Sequence, residues 1–156
     1  MFVNLPIDNI EEVGEAFPSR LIVMLYDEAI NSMVAAMDAI SRGDIEARFN
    51  ATTRTSDIIS ELYVSLDMEN GGEIAETLAA LYSHIIAQMP MINFTNDVMM
   101  VDQIITLLRP IRDAWNELDE RIRCNVEDAE ALESAELAAS VLAQGTKDAM
   151  SSGTIL

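Results

Sequence analysis

Chemistry in this chain would have to begin at His84 and Cys124, its single histidine and single cysteine. A Ser-His-Asp or Cys-His device would need His84 to shuttle protons. His84 lies in the middle of a helical pattern, Leu78-Ala79-Ala80-Leu81-Tyr82-Ser83-His84-Ile85-Ile86, and reads as a residue of that helix's surface. A di-iron site in a helical bundle takes a Glu three residues before each of two histidines. Here Leu81 holds that place before the one histidine. Zinc asks for four soft or imidazole ligands, and one Cys with one His falls short. Asp67-Met68-Glu69-Asn70-Gly71-Gly72 has the look of a calcium loop, but its twelfth position is Leu78 where a bidentate Glu is required. Gly71 and Gly72 lack the spacing and the Lys of a phosphate loop. The residues therefore predict no catalytic group, no metal site and no cofactor. The side chains in excess are apolar ones, which serve either a core or contact with another chain.

The elements that must position them are helices. Pro18 suits the first turn of a helix, and Ile22, Leu25, Ala29, Met33, Ala36 and Ile40 then recur every three or four residues to about Ser41. Gly43 is placed to end that helix and Asp44 to cap the next, which runs from Ile45 to Leu66 on a stripe of Ile45, Phe49, Thr52, Ser56, Ile59, Tyr63 and Leu66. The Asn70-Gly71-Gly72 turn precedes a third helix from Glu73 to Met89, carrying two apolar rows and ended or kinked by Pro90. A fourth helix, capped by Asn96, spans residues 97–124 with Pro110 bending it. Past Asn125 an acidic, Ala-rich stretch could form a fifth helix that frays from Gly145. The fold class is all-α: an antiparallel four-helix bundle over residues 18–125, a mobile N-terminal segment at 1–17, and an acidic C-terminal helix and tail at 126–156.

Composition narrows the partners. The formal net charge is −18 over 156 residues. Phosphate backbones and anionic membrane surfaces attract clustered Lys and Arg, so nucleic acid and membrane are excluded as partners. No apolar run reaches the ~18 residues of a membrane span. The N-terminus has no basic start or apolar core of a signal peptide, and one Cys allows no internal disulfide, so a reducing, cytoplasmic location is expected. Ten methionines supply either core filler or a deformable binding surface. Met91-Ile92-Asn93-Phe94 is a candidate for apolar surface at a helix junction.

Several segments, in order, resemble the flagellar export chaperone family known as FliS. Pro18 precedes Met24-Leu25-Tyr26-Asp27 and Ala29-Ile30. Gly43-Asp44-Ile45-Glu46 marks the first turn. Ile58-Ile59-Ser60-Glu61-Leu62 leads to Ser65-Leu66-Asp67, then to Gly71-Gly72-Glu73-Ile74-Ala75 and Leu81-Tyr82. Leu107-Leu108 and Ile111-Arg112-Asp113-Ala114-Trp115 close the set. The resemblance covers residues 18–120. It implies a cytosolic chaperone that binds the C-terminal segment of flagellin, blocks premature polymerisation and delivers it to the export apparatus, touching the export gate as it does so. Three positions differ from the family's usual pattern: Phe17 before Pro18 where Ser is usual, Glu28 after the Tyr-Asp pair where Gly is usual, and no Tyr in residues 1–17.

Tyr26 and Asp27 match the family's Tyr-Asp pair and are candidates for guest contact. Ile58 and Leu62 form a row beside the main stripe of the second helix. With Leu78, Tyr82 and Ile86 on the third, they complete an expected guest groove. Charged substitutions there are then expected to remove guest binding and leave helicity intact. The rival reading is a helical adaptor of the same fold with another secreted or flagellar partner. No small-molecule substrate is expected.

Overall fold

A computed structural model describes the backbone of residues 18–152 and the side chains of residues 19–144. The mobility expected of residues 1–17 lies outside the described residues. Among the described residues four helices follow one another: α1 (Pro18–Arg42), α2 (Ile45–Val64), α3 (Gly72–Thr95) and α4 (Val98–Ser152). The connections between α1 and α2 and between α3 and α4 are too short to cross the molecule, so consecutive helices run antiparallel. The chain divides into two compact units, one ending at Glu117 and the other beginning at Leu118.

The helix ends have identifiable causes. Gly43 takes φ +69°, which only Gly adopts without strain. Asp44 then accepts a hydrogen bond from the Ala47 N–H at 3.0 Å, the N-cap the sequence announces. Between α2 and α3, the Asp67 carboxylate accepts from the backbone N–H groups of Glu69 and Asn70 at 3.2 and 3.0 Å and from the Asn70 amide at 2.9 Å. These bonds, the Asn70 side chain foremost, hold its carboxyl below the usual carboxylate range. A Cβ on Gly71 would stand 2.5 Å from both the Asp67 carbonyl oxygen and the Ala75 Cβ, so the turn closes only without one.

Three expectations are corrected. Pro90 does not end α3, which continues to Thr95. Its ring faces solvent while Met89 and Ile92 beside it are buried, so packing on the inner face outweighs the lost hydrogen bond. Asn96 is not the cap of α4. It closes α3 in the left-handed conformation (φ 55°), and Asp97 accepts from the Met99 N–H at 2.9 Å instead. No break at Asn125 separates a fifth helix: the acidic stretch is helical as a continuation of α4.

The core of the first unit is one cluster. Leu25, Tyr26, Ala29, Ile30, Met33 and Ala36 of α1 meet Ile58, Ile59 and Leu62 of α2, Tyr82, Ile85 and Met89 of α3, and Val101, Ile104, Ile105 and Leu108 of α4. Trp115 and Ile111 pack against its edge. On α2 the buried face is Ala51, Thr52, Thr55, Ile58, Ile59 and Leu62. It shares Thr52 and Ile59 with the expected stripe but is rotated from it, so that Ile45, Phe49 and Tyr63 are exposed. Gly71→Ala is expected to cost about 1–3 kcal/mol, the usual penalty for forced overpacking. A thermal melt unchanged by that substitution would show that the turn has room to relax.

Candidate functional site

Two tyrosines lie at the centre of the first unit. Tyr26 and Tyr82 are buried, their hydroxyls hydrogen-bonded to each other and their ring centroids 6.5 Å apart. One hydroxyl donates and the other accepts, so each oxygen has a partner in the pair. Burial pushes both phenols above the ordinary tyrosine range, and the bond from Tyr82 pushes Tyr26 further.

Beside them, Asp27 turns outward. Its carboxylate accepts from Arg112 Nη1 at 2.9 Å, joining α1 to α4. Arg112 also reaches Asp113 at 2.8 Å. The pair is half exposed and contributes about 0–1 kcal/mol. Glu28, where the resemblance leads one to expect Gly, makes an ion pair with Arg54 of α2. That pair stands at one end of an open groove of about 420 Å³ between α1 and α2, with Ala35, Ala47 and Ala51 along it and the amides of Asn31 and Asn50 at its sides.

Of the seven residues expected at the guest surface, four belong to the core. Tyr26, Ile58, Leu62 and Tyr82 are at most 3% exposed. The Ile58/Leu62 row faces inward, packed with the tyrosines in the core cluster. Leu78 and Ile86 sit half-buried at the edge of the core, and Asp27 is held by Arg112.

The exposed apolar surface lies elsewhere, at the end of the bundle where α2 begins and α3 passes into α4. Arg48 donates to Asn93 Oδ1 at 3.3 Å and also bonds Asn96, while the Asn93 amide donates to the Thr52 hydroxyl at 2.8 Å. These bonds pin the start of α2 to the end of α3. They bring Phe49 and Phe94, 57% and 86% exposed, to the same end of the bundle. Ile45, Met91, Val98 and Met99 add exposed apolar surface there. The Met91-Ile92-Asn93-Phe94 segment was legible as a candidate, although Ile92 is buried and Asn93 is a tether. Phe49 was not, because it falls in phase with a helical stripe. A second, smaller apolar exposure is at the opposite end, where Val64, Met68 and Ile74 flank the Asp67 turn.

Among the described residues no group of three or more His, Cys, Asp or Glu side chains could hold a metal ion. Among them, too, no helix is long and apolar enough to cross a membrane. His84 and Cys124 are both exposed and lie on different helices.

Comparison with known proteins gives this arrangement its context. The family model for the flagellar protein FliS matches residues 8–122. The chain belongs to the FliS family. The FliS flagellar secretion chaperone of Salmonella typhimurium is 36% identical over 107 residues, covering 68% of this chain and 79% of that relative. The one from Vibrio cholerae is 32% identical over 107 residues, covering 69% of this chain and 79% of that protein. A crystal structure of a bacterial flagellar chaperone superposes with a TM-score of 0.63 over 72% of this chain and 92% of that one, at 17% identity, a likeness of fold. The helical bundle is thus the fold of a family of flagellar secretion chaperones. The FliS match stops at residue 122, inside α4.

Two outcomes follow from the burial of the tyrosines and of the Ile58 row. Below the ordinary tyrosine pKa of about 10 both phenols are neutral, folded or unfolded. Above it the unfolded chain releases their protons while the folded chain retains them, so stability falls as pH rises past about 10. Replacing both residues (Tyr26→Phe with Tyr82→Phe) should flatten that alkaline decline in denaturant midpoints; an equally steep decline would assign it to other groups. Ile58→Asp or Leu62→Asp should abolish the circular-dichroism signature of the bundle, since each buries an unpaired charge; a helical, cooperative Ile58→Asp variant would put that residue back on the surface.

Proposed function

We propose that this FliS-family chain is a cytoplasmic chaperone that binds the C-terminal segment of flagellin and keeps it from polymerising before export. The observation that carries the reading is a complete core with large apolar side chains left outside it at one end of the bundle. A monomeric domain with a filled core gains nothing from exposing Phe49, Phe94 and Met99 to water, and such patches mark sites where another chain docks. A flagellin terminus that is apolar and unfolded until assembly would bury them, as an amphipathic helix lying in a groove or as an extended segment. Burial of apolar surface at about 25 cal/mol per Å² drives the association, offset by the cost of ordering the guest.

The guest surface includes the apolar end at Phe49 and Phe94 and the half-buried Leu78 and Ile86 of α3. The methionines at the junction, Met91 and Met99, are unbranched and can repack around guest side chains of differing shape. The high negative charge keeps the unloaded protein soluble despite this surface. Binding rather than catalysis is its work. Handover to the export gate completes the reading.

Calorimetric titration with the C-terminal segment of flagellin from the same organism tests the proposal. One-to-one binding, lost when the last helix of that segment is removed, is the expected result. Phe49→Asp with Phe94→Asp should weaken it at least about tenfold, roughly 1.4 kcal/mol. The fold should be intact, since exposed substitutions seldom change stability by more than about 0.5 kcal/mol. No binding by folded, reduced protein would overturn the flagellin reading and favour an adaptor with another flagellar or secreted partner.

A further inference from the structure

The second unit carries a surface that the FliS match does not reach. Beyond residue 122, α4 continues through the acidic stretch without a break. Every residue from Glu127 to Gln144 is exposed. Leu132, Ala135, Ala139 and Leu142 follow one another at spacings of three, four and three, which at 100° per residue puts them on one side of the helix. Leu132 and Leu142 are 63% and 71% exposed, and the two alanines between them let a facing helix come close; Leu137 and Val141, similarly exposed, lie on the other side of the helix. Glu127 and Glu136 project along opposite margins of this row, and Asp128 heads it one turn before Leu132. Glu130 and Glu133 complete a run of five carboxylates between Cys124 and Gln144 that contains no Lys or Arg.

Apolar row and charge together select the occupant. A seam with acidic margins favours a facing helix with basic margins, as paired helices choose partners through the charges that flank the seam. A second copy of the chain would set these carboxylates against their equivalents, and like charges across a seam repel. We propose that the Leu132–Leu142 face of α4 docks an amphipathic helix of another protein, one whose apolar row is bordered by Lys or Arg. The basic margins would speed encounter and make it salt-dependent, and the leucines would hold the complex once formed.

The probe is a fluorescently labelled three-heptad helical peptide with Leu and Ala at the seam positions and Lys along both margins, titrated into the full chain by anisotropy. The decisive variant is Leu132→Asp with Leu142→Asp. It makes the chain more acidic, so binding by charge alone would tighten, whereas docking on the apolar row should weaken at least about tenfold. Glu127→Gln with Glu136→Gln should also weaken binding and reduce its salt dependence. Flagellin titration and circular dichroism of the leucine variant should match the parent, which separates this outcome from failure of the guest reading. Equal or tighter peptide binding by the leucine variant, no binding by the parent, or equal affinity for a Glu-margined peptide would each overturn the proposal. So would a dimer of the parent chain in sedimentation that the leucine variant abolishes, since the occupant would then be a second copy.

Discussion

The Tyr26–Tyr82 contact sets the terms for the rest of the first unit. The two phenol hydroxyls at the centre of the apolar core bond each other, where an orphaned hydroxyl would cost about 1–3 kcal/mol. That bond holds α1 and α3 in one register. Ile58 and Ile59 of α2 and Ile104 and Leu108 of α4 then fill the space around the rings. Asp27, one residue past Tyr26, is turned outward by the same register and reaches Arg112 at the rim. The Tyr-Asp pair thus links three helices: the phenol inward to α3, the carboxylate outward to α4.

Such a core has a consequence at its ends. Side chains in phase with the buried faces are consumed by packing, and those just out of phase have nothing in the chain to cover them. Phe49 and Phe94 are of the second kind. The polar tether of Arg48, Asn93, Asn96 and Thr52 fixes the helices beneath them, so the exposed rings sit on a rigid platform. On the proposed reading, a finished core stays folded when unloaded, and the exposed rings need no rearrangement before a guest arrives. Glu28, where the family's usual residue is Gly, pairs with Arg54 and so links α1 to α2 by charge.

The four bundle helices, the first turn and the family were legible in the sequence because they rest on local physics. Apolar spacing, Gly43 with its positive φ, Asp44 as an N-cap and the Asp67–Gly72 turn all act within a few residues. Pro90 and Asn96 were misread for the opposite reason. Whether a proline breaks a helix depends on what the neighbouring turns bury, and whether an asparagine caps or terminates depends on the residue after it.

What the sequence by itself determined is the set of helices, their acidic solvent-facing surfaces and their membership of the FliS family. The tertiary structure alone decided which apolar row faces inward. On α2 two rows were available, the stripe from Ile45 through Phe49, Thr52, Ser56, Ile59 and Tyr63 to Leu66 and the Ile58–Leu62 row beside it, and on α3 two more. A helix in isolation presents both rows to water equally. Only the rotation set by three neighbouring helices, with tyrosine hydroxyls to be paired and a core to be filled, buried Ile58, Leu62 and Tyr82 and left Phe49 and Phe94 outside.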